Sequence, residues 1–266
     1  MTEMHGDALQ RLGFRFGANG PHAARTMMLT ELRLLLAHTD AVTSRGDYAR
    51  AIVEHNILGK PTRKARELTL RHLSNLYSLD TSNPIFRAMR RLWPLAESAQ
   101  PVLALAVALA RDPLLRATRD LVLSQPVGGV LTRERFEEFL SRAYPGRFSQ
   151  ASLKSFAQNV AGTWTAAGLL RGHVRKVRAP LGGQPESIAL LLFLGYLEGR
   201  TGERLFSSDW TKLVAATPGE LEASAKAAAH RGLLVFMGAG GVKELRFPGY
   251  LTTDEERIRQ EVSHVV

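Results

Sequence analysis

The chain has 266 residues, of which 45% are hydrophobic and 7% aromatic, so it can bury the core of one large domain or of several small ones. It contains no cysteine, which excludes disulfide scaffolds, thiolate metal sites and cysteine nucleophiles and fits a reducing compartment. Its 35 basic and 25 acidic residues give a net charge of +10, and such a charge attracts polyanions.

The apolar runs of the chain are short. The longest, at residues 101–110 and 188–197, have about half the length that a membrane-spanning helix needs. The first residues also lack the basic start and unbroken apolar stretch of a signal peptide. We therefore expect a cytoplasmic protein that has no membrane partner.

The positive charge is concentrated in two stretches. Residues 45–91 hold 10 basic and 4 acidic residues, residues 131–180 hold 9 and 3, and residues 181–266 hold 9 and 11. Arginine is the main cation of both basic stretches, and its planar guanidinium suits phosphate groups and guanine edges. A solvated arginine-rich surface without a ligand is the alternative explanation.

Residues 1–125 are predicted to form a helical domain. Hydrophobic periodicity indicates one helix over residues 20–44 and a second over residues 47–55, and Thr62 can cap a third. Prolines then divide the remainder into short helices, of which an apolar one at residues 102–110 is expected to be buried.

Residues 126–182 follow the order of a winged helix: helix, turn, helix and a strand pair. The second helix is predicted to begin at Ser149 or Ser152 and to stop at Gly168, where glycine supplies the left-handed conformation. Beyond it, residues 174–178 alternate as a short strand does.

Residues 183–266 repeat this order weakly. A capping box from Thr217 to Glu220 begins the last helix of the repeat, and a glycine turn at residues 238–241 joins two predicted strands as a second wing. The end of the chain, from Asp254, is expected to be a frayed polar helix. The predicted fold class is thus mainly α, with an amino-terminal helical domain followed by two winged-helix-like modules with short β-hairpin wings.

Motifs for catalysis are missing from the sequence. It contains no Gly-x-x-x-x-Gly-Lys-Ser/Thr phosphate loop, no His-Glu-x-x-His and no Gly-x-Ser-x-Gly. The histidines are scattered, with no pair at the spacing that would place two imidazoles on one metal ion. We therefore predict a protein that is not an enzyme and needs no metal or other cofactor.

The basic stretches contain two candidate contact regions for nucleic acid. One is the first turn after Thr62, where three cations meet a helix N-terminus and form an anion site, unless Glu67 and solvent compensate their charge. The other is the polar face of the helix that ends at Gly168, together with the strand pair after it. The predicted DNA-binding residues are Arg63, Lys64, Arg66, Arg71, Lys154, Ser155, Gln158, Asn159, Arg171, Arg175, Lys176 and Arg178.

Several of these residues lie in a pattern that resembles a known family. The amino-terminal signature of the BrxA proteins of bacterial BREX phage-exclusion systems is similar to the run Asn56-Ile57-Leu58-Gly59-Lys60-Pro61-Thr62-Arg63-Lys64, to Arg71-His72-Leu73 and to Leu76-Tyr77. The Ala/Leu run before Arg111-Asp112-Pro113-Leu114-Leu115, and the segment from Trp164 to Leu170, resemble the family's middle and its winged-helix end. The resemblance spans about residues 24–180 and does not cover the second module.

This resemblance implies a small, non-catalytic, mainly helical DNA-binding component of a phage-defence system whose methyltransferase and ATPase are separate chains. The family has been likened to the antitermination factor NusB, so the resemblance also implies that the amino-terminal domain can be a NusB-like helical bundle, and RNA stays open as a ligand. We expect double-stranded DNA as the partner, together with other BREX subunits. The alternatives are a winged-helix transcriptional regulator and a protein-interaction scaffold. The acidic second module is expected to act as a brace or a protein contact.

Overall fold

Helices make up most of the computed structural model, which describes residues 3–17, 20–239 and 242–263. The helices are α1 (Glu3–Arg11), α2 (Leu29–Ala37), α3 (Arg45–Val53), α4 (Arg63–Tyr77), α5 (Pro84–Leu92), α6 (Gln100–Arg111), α7 (Pro113–Ala117), α8 (Arg119–Leu123), α9 (Arg133–Ala143), α10 (Gln150–Ala166), α11 (Pro185–Leu197), α12 (Glu203–Phe206), α13 (Pro218–His230) and α14 (Thr253–Ser263). The strands are β1 (Val130–Leu131), β2 (Leu170–Arg171), β3 (Lys176–Arg178), β4 (Val235–Ala239) and β5 (Val242–Arg246). The prediction of a mainly helical protein is confirmed.

The helix predicted over residues 20–44 was wrong in its extent. Only Leu29–Ala37 is α-helical, and Pro21–Ala23 forms a separate 3-10 turn. Met28 adopts a left-handed conformation with φ of 52°, which breaks the helix pattern between the two. We call residues 21–28 the connecting segment, because their irregular backbone allows them to run between other helices.

Two apolar helices lie at the centre of the fold. Every residue of α6 from Val102 to Arg111 is buried, as the apolar composition of this stretch predicts. The run from Ile188 to Leu194 in α11 is buried as well. The two helices contact each other, and α6 also packs against α4, α5 and α10.

Helices α9 and α10 pack together beside a small antiparallel sheet. The strand order is β1-β3-β2, with Val130 opposite Val177 and Leu170 opposite Arg178. Ser149 caps α10 through its side chain, and Gly168 ends it with φ of 88°, as the sequence predicts. Hydrophobic periodicity indicates an apolar face on α10, and the members of that face are all buried: Leu153, Phe156, Ala157, Val160, Trp164 and Ala167.

The carboxyl-terminal third consists of α11 to α14 and the β4–β5 hairpin. The capping box between Thr217 and Glu220 is present as predicted, and α13 buries Leu221, Ala225 and Ala228. Strands β4 and β5 pair along their length. The turn was predicted at residues 238–241, but Gly238 and Ala239 belong to β4, and residues 240–241 lie outside the described residues. The expectation of a frayed last helix was wrong, since α14 packs against α1 and buries Arg259 and Val262.

One cluster of contacting buried side chains runs through the whole fold, from Ala8 in α1 to Val262 in α14. It includes residues of all the predicted segments, namely residues 1–125, 126–182 and 183–266. The boundaries between these segments and the likeness of the first to NusB stay predictions. What the packing establishes is that α4, the connecting segment and α10 are held against one core.

Candidate nucleic-acid interface

The three cations in the first turn of α4 have different surroundings. Thr62 accepts a hydrogen bond from the Ala65 amide at 3.1 Å and so caps the helix as predicted. Arg63 forms an ion pair with Glu67 at 3.0 Å. Arg66 points back to α3 and donates to the carbonyl oxygen of Val53 at 2.7 Å, where the negative end of the α3 dipole favours a cation.

These contacts explain how α4 tolerates cations at its N-terminus. They also leave fewer cations available for the predicted anion site. The charge of Arg63 is partly balanced, and Arg66 is half-buried and committed to α3. Lys64 is exposed and has no ion-pair partner among the residues that the structure describes. Lys64 is therefore the cation of the first turn that is available to a phosphate.

Arg71 lies two turns further along α4, and both it and Arg25 of the connecting segment lie near His72. Both arginines are exposed, and both act on His72, which is buried beside them. Burial, together with the positive charges of Arg25 and Arg71, holds the pKa of His72 below its usual value. The sequence does not reveal this position of Arg25, because nothing in the residues around it indicates that it lies beside α4.

We expect the Arg25→Ala variant to raise the pKa of His72, since one of the two cations that oppose its protonation is removed. NMR titration of the imidazole measures this shift. Arg33→Ala is the matched control, because Arg33 is an exposed arginine of α2 that contacts Gln100 instead. An unchanged pKa in Arg25→Ala would show that Arg25 does not face α4.

A buried hydrogen-bond network holds the connecting segment in this place. The ring of His22 lies between the carboxylate of Asp112, at 2.8 Å, and the hydroxyl of Thr163 in α10, at 2.7 Å. Asp112 also accepts the backbone N–H groups of His22 and Leu114, and Thr163 accepts that of Met27. The network thus ties the segment to the start of α7 and to the middle of α10.

The order Asp112, His22, Thr163 is the order of a nucleophilic triad, which the sequence does not reveal because the partners are 90 and 141 positions apart. All three side chains are buried, with no exposed surface. The threonine oxygen already accepts the Met27 amide. The arrangement therefore serves packing, because a substrate cannot reach the hydroxyl.

The exposed face of α10 carries the predicted residues Lys154, Ser155 and Gln158. Asn159 does not belong to this face. It is half-buried, and its amide donates to the carbonyl oxygen of His22 at 3.0 Å, so its role is to hold the connecting segment. Gly162 lies one turn beyond Gln158 and allows close approach, since a Cβ there would lie 3.2 Å from Thr26.

A groove of about 760 Å³ lies between α10 and the β2–β3 turn. Its lining residues come from the start of α9, the middle of α10 and the turn: Thr132, Arg133, Glu134, Ala157, Gln158, Ala161, Gly162, His173, Val174, Arg175 and Lys176. Glu134 introduces a negative charge, and Arg133, 3.0 Å from it, also pairs with Glu137 at 2.7 Å. The groove therefore presents Gln158, Arg175 and Lys176 together.

The strand pair presents most of its predicted cations. Arg171 and Arg175 are exposed, and Lys176 is half-buried with its ammonium donating to the Gly172 carbonyl at 2.9 Å. The placement of Arg178 on the surface was wrong. It is only 5% exposed, because β3 is the central strand of the sheet, and its guanidinium donates to the carbonyl oxygens of Leu169 and Ala179.

The remaining cations define one region, which we call the positive surface: Arg25, Lys64, Arg71, Lys154, Arg171, Arg175 and Lys176. The connecting segment packs against both α4 and α10, and the groove beside Gln158 joins α10 to the β2–β3 turn. Among the described residues, no carboxylate forms an ion pair with any of these cations. Their charge is therefore available to an external anion.

Cations in the carboxyl-terminal third have the opposite surroundings. Most of them are paired with a carboxylate: Arg200, Lys212, Lys226, Arg231, Lys243, Arg246 and Arg257. Lys243, for example, contacts both Glu203 and Glu222, at 2.8 Å and 3.0 Å. The molecule thus has a neutralised region and a region of uncompensated positive charge.

Within the described ranges, no cluster of histidine, aspartate and glutamate side chains has the arrangement of a metal site. No helix in the same ranges is both long enough and apolar enough to cross a bilayer. Comparison of the chain with protein-family models and with curated proteins gives no match. Its function therefore has to be inferred from the chemistry of its own surface.

Proposed function

We propose that this protein binds double-stranded DNA, mainly through phosphate contacts, and catalyses no reaction on it. The supporting observation is the positive surface, whose cations lie on adjoining elements and lack carboxylate partners within the described part of the chain. Phosphate contacts of this kind supply most of the affinity of sequence-tolerant DNA binding.

Helices α9 and α10 with the sheet β1-β3-β2 are proposed to act as a winged helix. In such a module the second helix enters the major groove and the hairpin follows the backbone. Lys154, Ser155 and Gln158 would then meet base edges or phosphates. Arg171 and Arg175 would contact the neighbouring strand.

Duplex DNA is favoured over single strands by the location of the aromatic rings. Proteins that bind single-stranded DNA or RNA stack the bases on exposed aromatic side chains. The rings of Tyr77 in α4 and of Phe156 and Trp164 in α10 are buried in the core. The elements of the positive surface thus offer charge and amides rather than stacking platforms.

The biological setting is proposed from the resemblance in residues 56–64 and 71–77. On the basis of this resemblance, we propose that the protein is a component of a bacterial phage-defence system of the BREX type. The ion-paired carboxyl-terminal third, with its excess of acidic residues, is proposed to brace the fold or to contact other subunits of that system rather than DNA.

Ligand preference tests this proposal. Fluorescence anisotropy should show that the protein binds two duplexes of unrelated sequence with similar affinity, and single-stranded DNA and RNA of equal length more weakly. Strong preference for one duplex would instead support a transcriptional regulator. Tighter binding of RNA would favour the NusB-like alternative, and no binding at low salt would leave only a protein scaffold.

A further inference from the structure

A second feature with the character of a binding site lies away from the positive surface. It is a cavity of about 440 Å³ between α1, the segment after it and the junction of α11 with α12, a size typical of small-molecule sites. Its lining residues are His5, Leu9, Phe14, Phe16, Arg116, Glu198, Gly199, Arg200 and Arg204. None of them is a member of the positive surface.

One side of the cavity is an apolar wall. Leu9 and Phe14 are buried, and the rings of Phe14 and Phe16 stack with centroids 6.4 Å apart and planes 14° apart. The guanidinium of Arg116 lies 5.0 Å from the centroid of Phe16 and fixes that ring. A rigid aromatic wall of this kind suits a planar ring.

The charged lining of the cavity is rich in guanidinium groups with free donors. Arg204 is exposed and, among the described residues, has neither an ion pair nor a side-chain hydrogen bond. Arg200 lies 3.9 Å from Glu198, which is a loose contact. Arg116 donates hydrogen bonds from Nε and Nη2 to backbone carbonyl oxygens, and its Nη1 stays available to a ligand. Three arginines against one glutamate leave the cavity positive.

Two further polar groups, Glu198 and His5, line the cavity. Burial raises the pKa of Glu198, although the side chains of Trp210 and Arg200 beside it act in the opposite direction. The Nδ1 atom of His5 is buried and has no hydrogen-bond partner within the described ranges. Buried polar atoms are normally paired, so a bound molecule would supply the missing partner of the His5 ring.

We propose that this cavity binds a nucleoside monophosphate. The apolar wall of Leu9 and Phe14 would pack on the base, and the guanidinium groups of Arg200 and Arg204 would bind the phosphate, whose oxygens match their planar geometry. Glu198 would accept hydrogen bonds from ribose hydroxyls, a role that acidic side chains have in other nucleotide sites.

Isothermal titration calorimetry of the full chain with adenosine 5′-monophosphate tests the proposal. We expect saturable binding, with adenosine alone and inorganic phosphate alone at least about tenfold weaker, since each lacks one half of the contacts. Arg204→Ala should weaken binding about tenfold or more, because it removes charge-assisted hydrogen bonds. Arg204 is exposed, so the change leaves the core intact, and circular dichroism confirms the fold of the variant.

Two controls separate this site from other anion binding. Lys212→Ala removes an exposed cation of the same region that is paired with Asp209, and it should leave the affinity unchanged. Arg175→Ala, in the positive surface, should also have no effect. Absence of binding by the wild type, or equal loss in Arg175→Ala and Arg204→Ala, would overturn the proposal without bearing on DNA binding.

Discussion

The Asp112→Ala variant should lose at least about 3 kcal/mol of unfolding free energy, because each buried donor that is left without an acceptor costs about 1–3 kcal/mol. The change leaves the His22 ring and the amides of His22, Leu114 and Leu115 without their acceptor. All of these groups are in the interior, where an unpaired donor is expensive. Denaturant unfolding followed by circular dichroism measures the loss.

The same carboxylate predicts how stability depends on pH. Burial alone raises the pKa of Asp112, but the His22 ring and the amide donors outweigh it and hold that pKa below its ordinary value of 3.8. Because the folded-state pKa is depressed, Asp112 stabilises the protein at pH values above 3.8, and this contribution is lost as the pH falls through the lower folded-state pKa. Asp112→Ala should lack this part of the acid dependence.

Asp120→Ala is the control for this prediction. Asp120 pairs with Arg119 on the surface, and its side chain is 83% exposed. Exposed ion pairs contribute about 0–1 kcal/mol, so this variant should unfold almost like the wild type. Equal stability of Asp112→Ala and Asp120→Ala would show that the buried network does not hold the connecting segment.

A triple variant with Arg25, Arg71 and Arg175 replaced by alanine should bind duplex DNA about a hundredfold more weakly, or worse. The three arginines lie on three different elements, namely the connecting segment, α4 and the β2–β3 turn. All three are exposed and lack carboxylate partners in the described part of the chain. The loss should be similar for every DNA sequence, because phosphate contacts carry no sequence information.

The matched control removes three arginine or lysine charges from the ion-paired region, at Lys212, Arg246 and Arg257. These side chains are as exposed as the first set, but each lies within 2.8 Å of a carboxylate. The control changes the net charge by the same amount and should keep most of the affinity. Equal loss in both variants would mean that total charge, and not the positive surface, determines binding.

Local features of this fold were predictable from the sequence. The caps at Thr62, Ser149 and Thr217 depend on residues within one turn of each other, and their chemistry is visible in a short window. The buried face of α10 and the buried helix α6 follow from hydrophobic periodicity.

The parts that could not be predicted depend on long-range contacts. Arg25 lies beside α4 because His22 docks on Asp112, a contact between residues 90 positions apart. Arg178 is buried because β3 became the central strand of its sheet, which a three-residue alternation does not reveal. The sequence predicts that Arg66 can bind an anion, but in the structure its guanidinium donates to the carbonyl oxygen of Val53 at the end of α3.

The salt dependence of duplex DNA binding tests the positive surface most directly. The logarithm of the binding constant should fall with the logarithm of the salt concentration with a slope of about −0.9 for each phosphate contact, or about −5 in total if six phosphates are neutralised. Removing Arg25, Arg71 and Arg175 should flatten that slope by about three. A wild-type affinity that does not change with salt, or the same slope in the wild type and the triple variant, would contradict the account.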